Sequence, residues 1–534
     1  MQLNRRGFIF GFAAVMAIAC GGSAFAELPT PTSLPETKAL LSEYVRRFNS
    51  TDEELYTNAI PNSAAEGFLL ANVPRFACPD KDIERTYYFR WWTYRKHLRR
   101  GDGGWRVTEF LPKIPWSGMD NTIVCPAGHH FREGRWLRDP QYLADNARFW
   151  LSDKKATHRW GYSSWLFTGT CWIAETSGND ELPVDLLDDA VRYYRRWEKG
   201  DERSQYPAPD KGRMGGDGEG GFFSIDGFEG TEFSLGGNGW KPLMNSAMWS
   251  EAKSIAVVAR RAGRSELADE FEAKADAVRR ALIEKCWNKD VGFFTTRSYG
   301  GVLGAVRELH GYAPWYFGMP VDVAPDWSQL SDSQGFAAAC GLSFPERRAK
   351  GFKLSYEGHG CQWNGPSWPF ATSIALTAFA NDLHARPSEE GRRAFDFLMR
   401  QYAAQQKLVR STGEGLTVVP WIDENLNPDK PDWIARSICI ERKAEPRERG
   451  KDYNHSTFCD LVISGIVGLV PNGDKGFAVD PLADPAWNYF VLENLRYRGH
   501  DVSVRYLRGE GLSVEVDGKT AAKRVEMGRL EILL

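Results

Sequence analysis

From about residue 140 to 475, apolar residues recur at three- and four-residue steps, the period of one helix face. "PQYLADNARFWLSD" (140–153) predicts a helix, and "SWLFTGTCWIAETSG" (164–178) predicts the next. "PVDLLDDAVRYYRRWEKG" (183–200) keeps the period and stops at a glycine, a common helix terminator. Two helical pairs follow, 245–263 with 265–287 across a Gly-Arg turn, and 368–384 with 388–405. A last helix, 456–471, comes after a long polar loop. Paired helices joined alternately by tight turns and long loops predict an α-hairpin toroid, the (α/α)6 barrel. A helical solenoid would show a constant repeat period, and the chain has none.

After Pro471 the period drops to two. "KGFAVDPL", "NYFVLENLRYRG", "DVSVRYL", "LSVEVDG" and "RLEILL" are short alternating runs separated by Gly and Asp, which predict strands and hairpins. They define a small C-terminal β module over 476–534, packed on a helical domain at 141–475. Residues 27–140 lack a regular period and read as a loop-rich part of the same domain. Its stretch 105–140 carries Trp, His, Asn and carboxylates in the density of a pocket wall.

Residues 1–26 stand apart. A basic start at Arg5-Arg6, an apolar run and Ala24-Phe25-Ala26 match an export signal with a small-x-small cleavage site, and Arg-Arg-Gly-Phe-Ile is similar to a twin-arginine signal. The expectation is a periplasmic or secreted protein. No later segment is apolar for long enough to span a membrane. A net charge of −3 gives no footprint for nucleic acid. No cysteine pair has CxxC spacing, no metal-ligand spacing is completed by His, and no cofactor-binding motif appears, so neither metal nor cofactor is expected. For an exported chain with eight cysteines after the signal, one or two disulfides are expected. Nothing in the sequence sets an oligomeric state.

The tryptophans change the picture. Twenty are present, many in polar turns such as "RWGYSSW" (159–165), "GGNGW" (236–240) and "HGCQWNGPSW" (359–368). Rings in polar turns suit a ligand that is flat and partly apolar, such as a sugar. Trp160, Trp240, Trp363 and Trp368 are therefore candidate substrate-binding residues, with His129 and His359 beside them. "DYNHSTF" offers sugar-binding side chains too, or else Asn454 or Ser456 caps the next helix.

Chemistry then falls to carboxylates, because no GxSxG, HExxH or phosphate loop is present. Glycoside hydrolysis needs two carboxyl groups astride the scissile bond. One cluster is "FFSIDGFEGTEFSLGGNGW" (222–240), with Asp226, Glu229 and Glu232 among phenylalanines expected to desolvate an acid. The other is "VVPWIDENLNPDKPDW" (418–433), with Asp423 and Glu424.

The order "EGTEFS", "NSAMWSEA", "LIEKCWNKDVGFF", "WNGPSWPF", "DENLNP", "DYNHSTFCDLVISGIVGL" resembles the six-hairpin glycosidases, nearest to glycoside hydrolase family 63 and the mannosylglycerate-hydrolase-like proteins grouped with it. The resemblance covers roughly 140–475. It implies an (α/α)6 barrel and an inverting α-glycosidase, α-glucosidase-like, acting on an oligosaccharide or glycan. Carried over by position, it implies Glu232 as general acid and Glu424 as base. The acid position is Asp in that family, and "SGMDN" (117–121) makes Asp120 the alternative acid. Trp363-Asn364-Gly365 lacks the family's arginine, which implies a different substrate. A non-catalytic carbohydrate-binding protein on the same barrel, or a polysaccharide lyase, is the alternative function.

Overall fold

The helix-forming stripes fold as their spacing predicts. Leu187–Lys199 buries Leu187, Ala190, Val191, Tyr194 and Trp197 on one face. Pro242–Arg261 and Pro369–Ala385 each begin with proline, whose missing N–H is unused in a first turn and whose fixed φ suits a helix start. The computed structural model describes residues 33–156, 159–200, 214–412 and 415–534. The export signal expected at 1–26 lies outside the described residues.

Six helical stations form a closed inner ring: Ala127–Gly134, Leu166–Ser177, Pro242–Arg261, Leu309–Tyr316, Pro369–Ala385 and Phe458–Ile466. Each packs on the next, and Phe458–Asp460 returns to Ala127–Gly134. Outside them, Gln141–Ser152 backs Leu166–Ser177, Ser265–Cys286 backs Pro242–Arg261, and Glu389–Ala404 backs Pro369–Ala385. The molecule is an (α/α)6 barrel. No helix among the described residues is long and apolar enough to cross a membrane.

Two departures from the sequence reading bear on the site. Residues 27–140 are not mainly loops, because they contain Thr37–Thr51, Ala65–Asn72, Lys81–Tyr94 and Ala127–Gly134. Every residue of Lys81–Tyr94 from Thr86 onward is buried, and so is every residue of Ala127–Gly134. A helix enclosed on all sides carries no polar face, so its period is hidden in the sequence. The expected helix 456–471 is also shorter. It runs from Phe458 through a π-helical turn, Leu461–Ile466, and gives way to the strand Leu469–Pro471.

The tail is β-rich. Tyr489–Tyr497, His500–Leu507, Gly511–Val516 and Lys519–Arg524 form an antiparallel sheet whose free edge is filled by Arg75–Ala77. A three-stranded sheet joins Leu469–Pro471, Gly476–Val479 and Leu530–Leu533. Of the eight described cysteines seven are free thiols, and Cys340 is disulfide-bonded, within the one or two bridges expected.

Candidate active site

The loops at one end of the ring bring Glu232 and Glu424 to a single cavity of about 290 Å³. Glu232 follows a one-turn helix, Asp226–Glu229, that ends where Gly230 adopts φ +71°, a conformation glycine takes without strain. Its backbone carbonyl accepts from the Trp363 N–H at 3.0 Å. Its Oε2 accepts from the Cys361 thiol at 3.0 Å. Burial raises its pKa, and the thiol hydrogen bond opposes part of that rise.

Glu424 lies beyond the strand Gly415–Pro420, on a turn whose own N–H donates to Asp423 Oδ1 at 2.9 Å. Arg449 pairs with its Oε1 at 2.8 Å, leaving Oε2 without a protein partner among the described residues. Asn425 Nδ2 donates to the Gly360 carbonyl at 2.9 Å, which ties this turn to the loop bearing Cys361. Asp423 is buried behind the turn, and burial pushes its carboxyl up to about 7.

Trp363 and Trp368 both line the cavity. Their rings stack at 4.0 Å with an interplanar angle of 5°. Trp368 directly precedes Pro369, the first residue of a ring helix, and its indole N–H donates to the Gln362 carbonyl at 2.8 Å. The helix therefore fixes a two-ring wall. His359 stands exposed at the rim, its ring 6.1 Å from Phe233.

Four expected site residues lie elsewhere. Trp240 donates its indole N–H to Asp217 at 2.7 Å and carries the Lys285 ammonium over its ring, and it does not line the cavity of Glu232 and Glu424. Trp160 faces a separate cleft with Tyr193 and Arg159, and Tyr162, two residues on, is the one that lines the cavity. His129 is fully buried, stacked on Phe370 at 4.1 Å and bonded to its carbonyl at 3.0 Å. Asp120 sits at φ +54° with Arg106 3.6 Å away and does not line the cavity, because Asn121 anchors the turn to the Phe110 and Pro112 carbonyls. The phenylalanine next to Glu232 does not desolvate it as expected. Phe233 is 59% exposed, so burial of Glu232 comes from the cavity walls instead.

The cavity also holds Glu109, Cys361 and Arg449, which sequence reasoning passed over, and Tyr453 and His455 of the "DYNHSTF" stretch, which it had offered as sugar-binding. A carboxylate inside the apolar run "VTEFL" was the available signal for Glu109. Asn454 does not cap the following helix. Its side chain donates to the Thr108 carbonyl at 3.2 Å and so places its neighbours Tyr453 and His455 on the cavity.

Two carboxyls on one cavity, an indole wall and a ring of α-hairpins are the equipment of a six-hairpin glycosidase. The chain belongs to the family of the mannosylglycerate hydrolase MGH1-like glycoside hydrolase domain, which it matches over residues 119–207 and 216–456. A solved structure described as a sialidase is 31% identical and superimposes with a TM-score of 0.80 over 93% of this chain and 44% of that one. The GH78 rhamnosidase of Bacillus sp. GL1 is 12% identical, over 83% of this chain and 41% of that one, with a TM-score of 0.48. A putative kojibiose phosphorylase from human microbiome is 10% identical, over 94% and 73%, with a TM-score of 0.45. The chain spans less than half the length of the first two.

Proposed function

We propose that the protein hydrolyses a glycosidic bond of an oligosaccharide or glycan with inversion, in the manner of an α-glucosidase. Glu232 protonates the leaving oxygen, and Glu424 activates a water through its unpartnered Oε2. The single observation that supports this most is the pair of carboxyls on one cavity, of which Glu232 is buried beside a thiol and Glu424 is ion-paired with Arg449. Burial favours the protonated form that a general acid needs. The Trp363–Trp368 wall supplies the apolar face on which a sugar ring stacks. Export, on the Arg5-Arg6 signal, belongs to the same proposal and places the substrate outside the cytoplasm.

The test is a panel of aryl α- and β-glycosides, an aryl sialoside and intact glycans. The sialoside is included because of the sialidase likeness. Wild type is expected to release sugar from at least one member, and Glu424→Gln is expected to release none at a comparable rate. Saturable binding of panel members without release by wild type would overturn the enzyme reading in favour of a carbohydrate-binding protein.

A further inference from the structure

The cavity that holds Glu232 and Glu424 holds a third carboxyl that the acid–base pair leaves unused. Glu109 follows the strand Gly104–Val107 and is 6% exposed, yet it lines the same cavity. Its main chain is clamped, since the Asn454 N–H donates to its carbonyl at 3.1 Å. Its Oε1 accepts a hydrogen bond from the Tyr453 hydroxyl. Oε2 has no protein partner among the described residues, and neither does Nε2 of His455 on the same wall. Leaving a buried polar atom such as His455 Nε2 unmet costs about 1–3 kcal/mol. Such atoms in a ligand-sized cavity mark where a bound molecule completes the hydrogen bonding.

The charge state of Glu109 follows from its surroundings. No cation pairs with it among the described residues, because Arg449 is engaged with Glu424. Burial, and then the negative charges of Glu424 and Glu232, push its carboxyl up to about 8 against the pull of the Tyr453 hydroxyl. Near neutral pH it holds a proton. With Oε1 engaged as an acceptor, that proton sits on Oε2 and faces the cavity.

We propose that Glu109 is a third substrate-contacting carboxyl of the site, donating a hydrogen bond from Oε2 to a hydroxyl of the sugar held against Glu232 and Glu424. This rests on the glycosidase reading and adds a binding contact to it. The proton stays on Glu109 throughout, and no bond is made or broken there. Glutamine mimics this state, with its amide N–H in place of Oε2–H and its oxygen still accepting from Tyr453.

The experiment is the pH dependence of kcat/KM for wild type, Glu109→Gln and Glu109→Ala on the aryl glycoside that wild type cleaves best. In wild type the alkaline limb should steepen above about pH 8, where Glu109 ionises. Glu109→Gln, which keeps a donor at that place, should retain more of the wild-type kcat/KM near neutral pH than Glu109→Ala does, and should lose the steepening. Glu109→Ala should raise KM and cut kcat/KM by about 10–100-fold, the scale of one lost hydrogen bond to substrate plus a partner left unmet. If Glu109→Ala fails to fold, the isosteric glutamine variant alone decides. A loss greater than 100-fold in Glu109→Gln near neutral pH would make Glu109 a proton donor and overturn the proposal. A Glu109→Gln profile that still steepens like wild type would overturn it too, leaving Glu109 as scaffold. Wild type inactive on every glycoside is a separate result, which sinks the glycosidase reading itself.

Discussion

Asp226, Glu229 and Glu232 lie within seven residues of one loop, and the fold gives them opposite uses. The Lys241 ammonium pairs with Asp226, stands 3.3 Å from Glu229 and donates to Thr231 at 2.9 Å. Glu308 lies in the field of the same lysine and accepts from the Gly236 N–H at 2.9 Å. No ion pair holds Glu232 among the described residues; a thiol donates to it, and the His359 ring lies near it on the same cavity. Asp226 and Glu229, held by the cation off the cavity, are fixed struts. A carboxyl held by a weak donor at a cavity is able to exchange a proton. The deciding partner is supplied from outside the loop, by Lys241 in one case and Cys361 in the other.

The largest effects separate the two regions by kind. Glu424→Gln should cut turnover by about 10²–10⁴-fold on every substrate, the usual scale for lost acid–base help. Glu232→Gln should do the same on intact glycans but spare aryl glycosides with strongly acidic leaving groups, which depart without protonation. Equal losses on both substrate types, measured by steady-state kinetics, would remove the acid role from Glu232. Lys241→Met should leave buried carboxylates unpaired and lower stability by roughly 3–5 kcal/mol, read as a lower denaturant midpoint. An unchanged midpoint would mean that the lysine is no strut.

Smaller effects sharpen the contrast. The Cys361 thiol lowers the Glu232 pKa by hydrogen bonding to the carboxylate. In Cys361→Ala that help is gone, so Glu232 keeps its proton to higher pH and the first step of the alkaline limb should move upward, with kcat changed only a few-fold on the scale of one hydrogen bond. A limb that moves downward would mean that the thiol acts otherwise. The smallest effects belong to residues the fold moved away from the cavity. Asp120→Asn and Trp160→Phe should each leave kcat/KM within about twofold, as for changes without contact to the reacting groups.

Much of the architecture was legible from periodicity, because a helix with one wet face must show its stripe. Leu187–Lys199 and Glu389–Ala404 have such faces; the second keeps close to its expected bounds, and the first begins only at Leu187 because Glu181–Asp185 forms a short helix of its own. Lys81–Tyr94 and Ala127–Gly134 have none and were hidden. Arg75–Ala77 is too short to alternate visibly, and it joins a sheet built from residues more than 400 positions later. In the site, Trp363 and Trp368 were legible because a proline-started helix follows them directly. Trp240 looked equivalent, but its polar neighbours serve its own indole, with Asp217 bonded to the N–H and Lys285 over the ring. Glu109 escaped notice because a lone carboxylate in an apolar run carries no motif; only the folded chain shows Tyr453 on one oxygen and the cavity on the other.

The central claim is that Glu232 and Glu424 work as acid and base around a water, without a covalent intermediate. Proton NMR of the first-formed sugar, taken before mutarotation on the substrate that wild type cleaves best, tests it most directly. The account predicts the anomer opposite to that of the substrate, the outcome of attack by water rather than by a carboxylate. A first-formed product of retained configuration would contradict it and make one carboxylate a nucleophile.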